Sequence, residues 1–174
     1  CRKLCRKTIR SYEDYFRLEC HSNSTLTVAD IVAKLALWAA EDWVADVIVI
    51  DYADILAYPK GTGRMDARDR TNEVWKQLRR LSQEHHCLVV TATQTKAAAY
   101  EQDRPLDRRS FSEDKRKNAH ATAMIGVNVR GSDKDAGVMR LNWVFKREGE
   151  FSSGKYLYTA TCLPLANPCV LSTF

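Results

Sequence analysis

Long apolar stretches are missing from this sequence. Its apolar runs, such as Leu35–Ala40 and Val47–Ile50, fall far short of the ~20 residues that a bilayer-spanning helix needs, so no membrane-crossing helix is expected. No secretory signal is read either, because the basic residues 1–7 are not followed by an apolar segment. The first residue is Cys1 and not Met, which leads us to expect a processed product or a fragment. Glycine and proline are scarce, 7 and 4 of 174 residues, which argues against collagen-like or low-complexity chains. With 45% hydrophobic and 28% charged residues, the composition suits one globular domain with a substantial core.

Regular metal-site spacing is also missing. There are six cysteines, and without a secretory signal a reduced compartment is the default. Cys1, Cys5, Cys20 and His21 supply four soft ligands, but a three-residue gap followed by an adjacent Cys-His pair is not zinc-finger spacing. Zinc there is carried only as an alternative. Cys87 opens an apolar run and reads as a small buried hydrophobe.

Charge is present and uneven. Lys and Arg number 27 against 22 Asp and Glu, a net +5, which permits a polyanionic partner without requiring one. Arg2, Lys3, Arg6, Lys7 and Arg10 form one basic group; Arg104, Arg108, Arg109, Lys115, Arg116 and Lys117 form another, diluted by acids. Either could be a solvated face or a phosphate-facing surface.

The pattern of elements alternates. Residues 15–20 are expected to form a strand. Thr27 and Asp30 have capping-box spacing before a helix that runs to about Asp42, with Val28, Ile31, Leu35 and Trp38 on one apolar stripe. The run Val47-Ile48-Val49-Ile50 is β-branched throughout and reads as a strand buried on both faces, as a helix-covered parallel sheet requires. Residues 66–86 carry Val74, Trp75, Leu78, Leu81 and His85 at helical spacing, and a second strand follows over residues 87–93. Residues 95–117 are expected to be a long mobile surface loop with a short helix at its end. Then come a strand at 124–129, a turn at 131–137 and a hairpin pairing 138–146 with 155–163. The fold class is α/β, with parallel crossovers. The expected divisions are a basic segment 1–14, a domain over 15–163 and an irregular tail 164–174.

Two strands end in single polar residues, Asp51 and Gln94, at the sheet edge where α/β folds bind ligands. A carboxylate there can organise hydrated Mg²⁺ beside phosphates, and a neighbouring amide can sense a terminal phosphate. In combination, Val47-Ile48-Val49-Ile50-Asp51-Tyr52-Ala53-Asp54 resembles the Walker B strand of DnaB-type replicative helicases, within the RecA-like ATPases. Thr25-Leu26-Thr27-Val28-Ala29-Asp30-Ile31 resembles the helix opening before that strand. Leu88 to Gln94 is similar to the next strand, and Ser112-Glu113-Asp114-Lys115-Arg116-Lys117 with His120 looks like a phage-type variant of the DNA-proximal motif.

The resemblance implies a RecA-like fold, a mostly parallel β-sheet flanked by helices with a C-terminal antiparallel hairpin. It implies a motor that uses ATP and Mg²⁺, forms a homo-oligomeric ring, expected to be a hexamer, and moves on single-stranded DNA in the cytoplasm of a bacterium or phage-infected host cell. Asp51 would organise Mg²⁺ and Gln94 would sense the γ-phosphate. Lys96, Arg104, Arg108, Arg109, Lys115, Arg116 and Lys117 would face DNA phosphates, each adding salt-dependent affinity. Lys146 and Arg147 would be the trans-acting cations, although here they are adjacent where the family has Lys-x-Arg.

Other departures are as informative. Gly149-Glu150-Phe151-Ser152-Ser153-Gly154-Lys155 fits seven P-loop positions, but Tyr156 occupies the eighth and a strand pattern follows in place of a helix. It is read as a hairpin turn. Glu19, in Phe16-Arg17-Leu18-Glu19, lies too close to the Thr25 helix to be the family's catalytic glutamate. On this resemblance the P-loop unit and the catalytic-glutamate strand are expected upstream of Cys1, and the chain alone is expected to hydrolyse ATP poorly or not at all. The alternatives are a non-catalytic RecA-like DNA-binding or ring-assembly subunit, and a RecA-like recombinase ATPase.

Overall fold

The computed structural model describes residues 12, 14–96, 99, 104–111, 116–161 and 172–173. The chain divides into two units, Cys1–Ala92 and Thr93–Phe174. No linker composition marks the boundary between them. No helix among the described residues is long and apolar enough to cross a membrane.

In the first unit, the capping box forms as its spacing predicts. Thr27 Oγ1 accepts from the Asp30 amide at 3.2 Å, and the Asp30 carboxylate accepts from the Thr27 amide at 2.9 Å. The Thr27 hydroxyl, which also donates to the Asp30 carboxylate at 2.7 Å, and the Thr27 amide hold the Asp30 carboxyl below the usual carboxylate range. Helix α1, Val28–Ala39, then buries Val28 and Leu35 and packs Ile31, Val32 and Trp38 against the core. It stops short of Asp42, whose φ of +58° is left-handed. Strand β1 is Val47–Ile50, a 3₁₀ turn follows at Ala53–Ile55, helix α2 is Ala67–Glu84 and strand β2 is Leu88–Thr91. Helix α2 buries the expected Val74, Trp75, Leu78 and Leu81, while Asp66 caps it by accepting from the Asp69 amide. Cys87 is buried, which pushes its thiol pKa up.

Two expectations fail in this unit. Residues 15–20 form no strand. That segment is anchored through its side chains: the Arg17 guanidinium lies 5.4 Å from the Trp38 ring centre and 5.0 Å from that of Trp43, and bonds Glu41 at 2.5 Å. Glu19 pairs with Lys34 of α1 at 2.8 Å. The second failure is burial of the parallel strands on both faces. β1 and β2 pair in parallel, Val47 with Leu88 through Ile50 with Thr91, but they alternate. Ile48, Ile50 and Val89 join the same core as both helices, whereas Val47, Val49, Leu88 and Val90 are 52%, 72%, 59% and 42% exposed. Both helices pack into one core on one side of the sheet, so among the described residues of this unit only that face is covered.

The second unit is built on antiparallel pairing. Helix α3 is Lys117–His120, strand β3 is Ala123–Asn128 and helix α4 is Gly131–Asp135. Strands β4, β5 and β6 are Val138–Lys146, Leu157–Ala160 and Ser172–Thr173. The sheet order is β3-β4-β5-β6, all antiparallel. The parallel character expected of the whole sheet therefore belongs to β1 and β2 alone among the described strands. The β4–β5 hairpin is present but shorter than expected, pairing Val138 with Ala160 through Leu141 with Leu157. Where a turn was expected at 131–137, α4 forms because the Asp133 carboxylate accepts from the Arg130 amide at 2.9 Å.

The core of this unit is Leu106, Val144 and Phe145, with Phe111, Ala121 and Met124 against it. Two asparagines tie the 104–111 segment to the sheet. Asn128 Nδ2 donates to Asn142 Oδ1 at 2.9 Å, Asn142 Nδ2 donates to the Leu106 carbonyl at 2.8 Å, and the Leu106 amide donates to Asn128 Oδ1 at 3.2 Å. Gly126 lies directly against Asn142.

Candidate functional site

In the first unit, Asp51 follows the last residue of β1 and is exposed at the carboxyl end of the parallel pair. Its turn is fixed by a residue that sequence reasoning missed. Thr91 Oγ1 donates to the Ile50 carbonyl at 2.9 Å and accepts from the Ala53 amide at 2.8 Å, bridging the residues on either side of Asp51 and Tyr52. The available signal was a hydroxyl at the end of an otherwise apolar strand. Ala53 is 2% exposed, so its amide has no ready substitute partner in water. Thr91→Val should therefore cost about 1–2 kcal/mol, read as a lower urea midpoint. An unchanged midpoint would remove Thr91 as the clasp of this turn.

The zinc alternative is not assembled among the described residues. Cys1 and Cys5 lie outside them, Cys20 is exposed, and no group of three His, Cys, Asp or Glu side chains comes together among the described residues. Gly61-Thr62-Gly63 is a structural turn in which buried Thr62 donates to the Pro59 carbonyl at 2.7 Å.

In the second unit, the P-loop-like run 149–155 lies between β4 and β5 with no helix after it, so it offers no helix N-terminus to phosphate. Gln94 and Lys96 are exposed. The base of the following loop is closed by an antiparallel bridge between Thr95 and Phe111 and by the Lys96 amide donating to the Ser110 carbonyl at 2.9 Å. Arg104 approaches Asp107 at 4.0 Å.

The cations of this loop are positioned by Asp107. Its Oδ1 accepts from the Arg109 amide at 2.8 Å and from the Ser110 amide at 3.0 Å. Burial pushes the Asp107 carboxyl up, but these donors and the Ser110 hydroxyl outweigh it and leave its pKa lowered. A carboxyl depressed on folding stabilises above its unfolded pKa and loses that contribution as pH falls through the folded value. The Arg108–Arg109 turn should thus hold at neutral pH and loosen only below about pH 4, visible in the Arg109 and Ser110 amide resonances. Asp107→Asn should abolish that acid step, and its persistence would count against Asp107 as the titrating group.

Arg108 and Arg109 meet Arg147 in one cleft of about 510 Å³, lined also by Asn118, Ala119 and Phe145. The Arg108 guanidinium stacks 5.0 Å from the Phe145 ring centre. Residues given separate DNA-facing and trans-acting roles on the sequence are therefore neighbours. Arg147 closes the end of α3: its Nε donates to the Ala121 carbonyl at 2.9 Å, and its Nη2 donates to the Ala119 carbonyl. Lys146 sits half-buried, 5.7 Å from the Trp143 ring centre. Lys117 is 8% exposed and reaches Thr93 Oγ1 at 3.4 Å, so its ammonium is turned inward and not toward solvent. Arg116 is exposed, while Lys115 lies outside the described residues, as does the 112–115 part of the DNA-proximal motif.

No protein-family model and no characterised protein sequence matches the chain. Solved structures do. The ATPase domain of one DnaB-like replicative helicase superposes with a TM-score of 0.69 at 15% identity, over 84% of this chain and 52% of that one. A second DnaB-like replicative helicase, solved in a study of its interactions with primase, superposes with a TM-score of 0.66 at 14% identity, over 79% of this chain and 33% of that one. The fold is thus RecA-like in the manner of a DnaB-like helicase ATPase domain, and the chain spans about half the length of the first match and a third of the second.

Proposed function

We propose that this chain is part of a RecA-like ATPase motor that acts on single-stranded DNA, as DnaB-like helicases do, and that it assembles in a ring in its full-length form. The observation that carries the reading is the parallel β1–β2 pair whose carboxyl end presents Asp51, within a fold that superposes on a helicase ATPase domain.

The fit to ATP and Mg²⁺ is divided. Exposed Asp51 suits the outer organisation of a hydrated cation, and Thr91 keeps its turn in place. A phosphate cradle is missing among the described residues, since the Gly149–Lys155 run has the wrong structural context. Nucleotide binding accordingly needs residues beyond those described, and no hydrolytic step is assigned to this chain alone. The second reading is a DNA-binding or ring-assembly subunit without turnover of its own. Mg²⁺-dependent ATP turnover by the full-length protein separates the two: turnover that depends on Asp51 supports the motor, and none supports the subunit.

A further inference from the structure

The connection between β4 and β5, which offers no cradle to phosphate, carries an exposed acidic group of its own. Glu148 and Glu150 stand on either side of Gly149, whose φ of +73° is a left-handed conformation that glycine takes most readily. Phe151 follows, 38% exposed. Neither carboxylate has an ion-pair partner among the described residues.

This acidic tip lies beside the Arg108–Arg109 cleft. Arg147 joins the two, since it lines the cleft and directly precedes Glu148 in the chain. The three guanidinium groups of the cleft are not equivalent. Arg147 is committed to the Ala119 and Ala121 carbonyls. Arg108 and Arg109 are exposed, and no carboxylate lines the cleft among the described residues. Asp107, the acid nearest to them in sequence, turns Oδ1 to the Arg109 and Ser110 amides and Oδ2 toward Arg104. Arg108 rests one face on the Phe145 ring, which leaves the other for a second partner.

Tip and cleft are thus neighbours that do not neutralise each other within one molecule. A surface that is cationic on one side and acidic on the other is complementary to its own two-fold mate, because rotation sets each tip against the other copy's cleft and matches both charges at once. The match extends beyond charge. Guanidinium forks take carboxylates bidentately, and a guanidinium laid on one ring stacks a second on its free face. A polyanion would answer the arginines but be repelled by Glu148 and Glu150, so the pairing of unlike charges favours a second copy of this surface.

We propose that two copies of the chain pair about a two-fold axis at this edge of the Thr93–Phe174 unit, with Glu148 and Glu150 of each on Arg108 and Arg109 of the other and Phe151 against the outer face of Arg108. This contact goes beyond the ring, whose neighbours meet head to tail through two different surfaces.

Sedimentation velocity of the full 174-residue chain tests it, over a concentration series reaching about 100 μM, above the dissociation constant expected of a modest specific contact. Wild type should form pairs and nothing larger, and more of them at low salt, where exposed charges are less screened. Arg109→Glu and Glu150→Lys should each raise the dissociation constant about tenfold or more. An equimolar mixture of the two variants should pair more tightly than either alone, since one of its two contacts is native and the other has both charges exchanged. Both side chains are exposed, and rescue in the mixture is a result that misfolding cannot produce. A wild-type chain that stays monomeric at low salt overturns the proposal, as does a mixture that pairs no better than its components. Association that neither reversal weakens overturns it in favour of the bare β1–β2 face. Species larger than a pair, lost with these same reversals, overturn the two-fold axis in favour of a head-to-tail contact. The ATPase reading is tested by turnover and stands or falls apart from all of these outcomes.

Discussion

Gly126→Ala should destabilise the C-terminal unit by about 4 kcal/mol, because a methyl group at that position has nowhere to go. Its Cβ would stand 2.6 Å from Asn142 Oδ1, 2.9 Å from Leu106 Cβ and 3.2 Å from Val144 Cγ2. None of these is the loose end of a flexible chain. Asn142 is 4% exposed and bonded to Asn128 and to the Leu106 carbonyl; Leu106 and Val144 are themselves core. Relief of the clash must either displace β3 from β4 or break the asparagine bonds that hold the 104–111 segment. Folded domains have about 5–15 kcal/mol in total, so such a loss is a large fraction of the stability of a typical domain. Trp143 is the unit's one tryptophan, and its fluorescence in urea gives the readout. A midpoint within experimental error of wild type would show that Gly126 is not the tight point described. Pairing the substitution with Asn142→Ser should cost less than the sum of the two, since the serine vacates the closest contact.

The second large effect is functional. In the full-length protein, Asp51→Asn should lower Mg²⁺-dependent ATP turnover on the order of 10³-fold, which corresponds to ~4 kcal/mol of lost charge stabilisation. The asparagine keeps the shape of the side chain and removes its charge. Asp51 is exposed and outside both cores, so the thermal melt should not move. Turnover at the wild-type rate would overturn the assignment of Asp51. A loss of turnover together with a shifted melt would point to the β1 turn instead, for which Thr91→Val is the control.

Local patterns carried the first unit further than the second. Val74, Trp75, Leu78 and Leu81 state helix α2 outright, because one apolar stripe at helical spacing has few other uses. Thr27 and Asp30 likewise mark the start of α1. The run Val47–Ile50 gave a strand and its parallel partner, but an unbroken β-branched run looks the same whether one face or two are covered. Tyr15, Phe16 and Leu18 imitate a strand, and what decides otherwise is the distant docking of Arg17 and Glu19 onto Trp38, Trp43 and Lys34.

Sites depended even more on tertiary context. Lys117 and Arg147 count as cations in the sequence, yet one is buried against Thr93 and the other caps α3 through carbonyls. Asn128 and Asn142 look like ordinary solvent-facing positions in two strands until the antiparallel register sets them side by side. Arg130, Lys134 and Tyr156 acquire a common surface only when the β4–β5 hairpin returns the chain to its start. The position of Asp51 after β1 was legible because a strand end is a local property, whereas a cleft is not.

The bare side of the β1–β2 pair bears on how this chain is to be handled and measured. Val47, Val49, Leu88 and Val90 present apolar surface only while the two strands are aligned, so any molecule that covers them binds the folded form in preference to the unfolded one. Such binding raises the apparent melting temperature in proportion to the logarithm of its concentration once it exceeds the dissociation constant, and self-association does the same. Were two copies to meet on this face, the melting temperature of the chain would depend on protein concentration, and values for variants would have to be compared at one concentration.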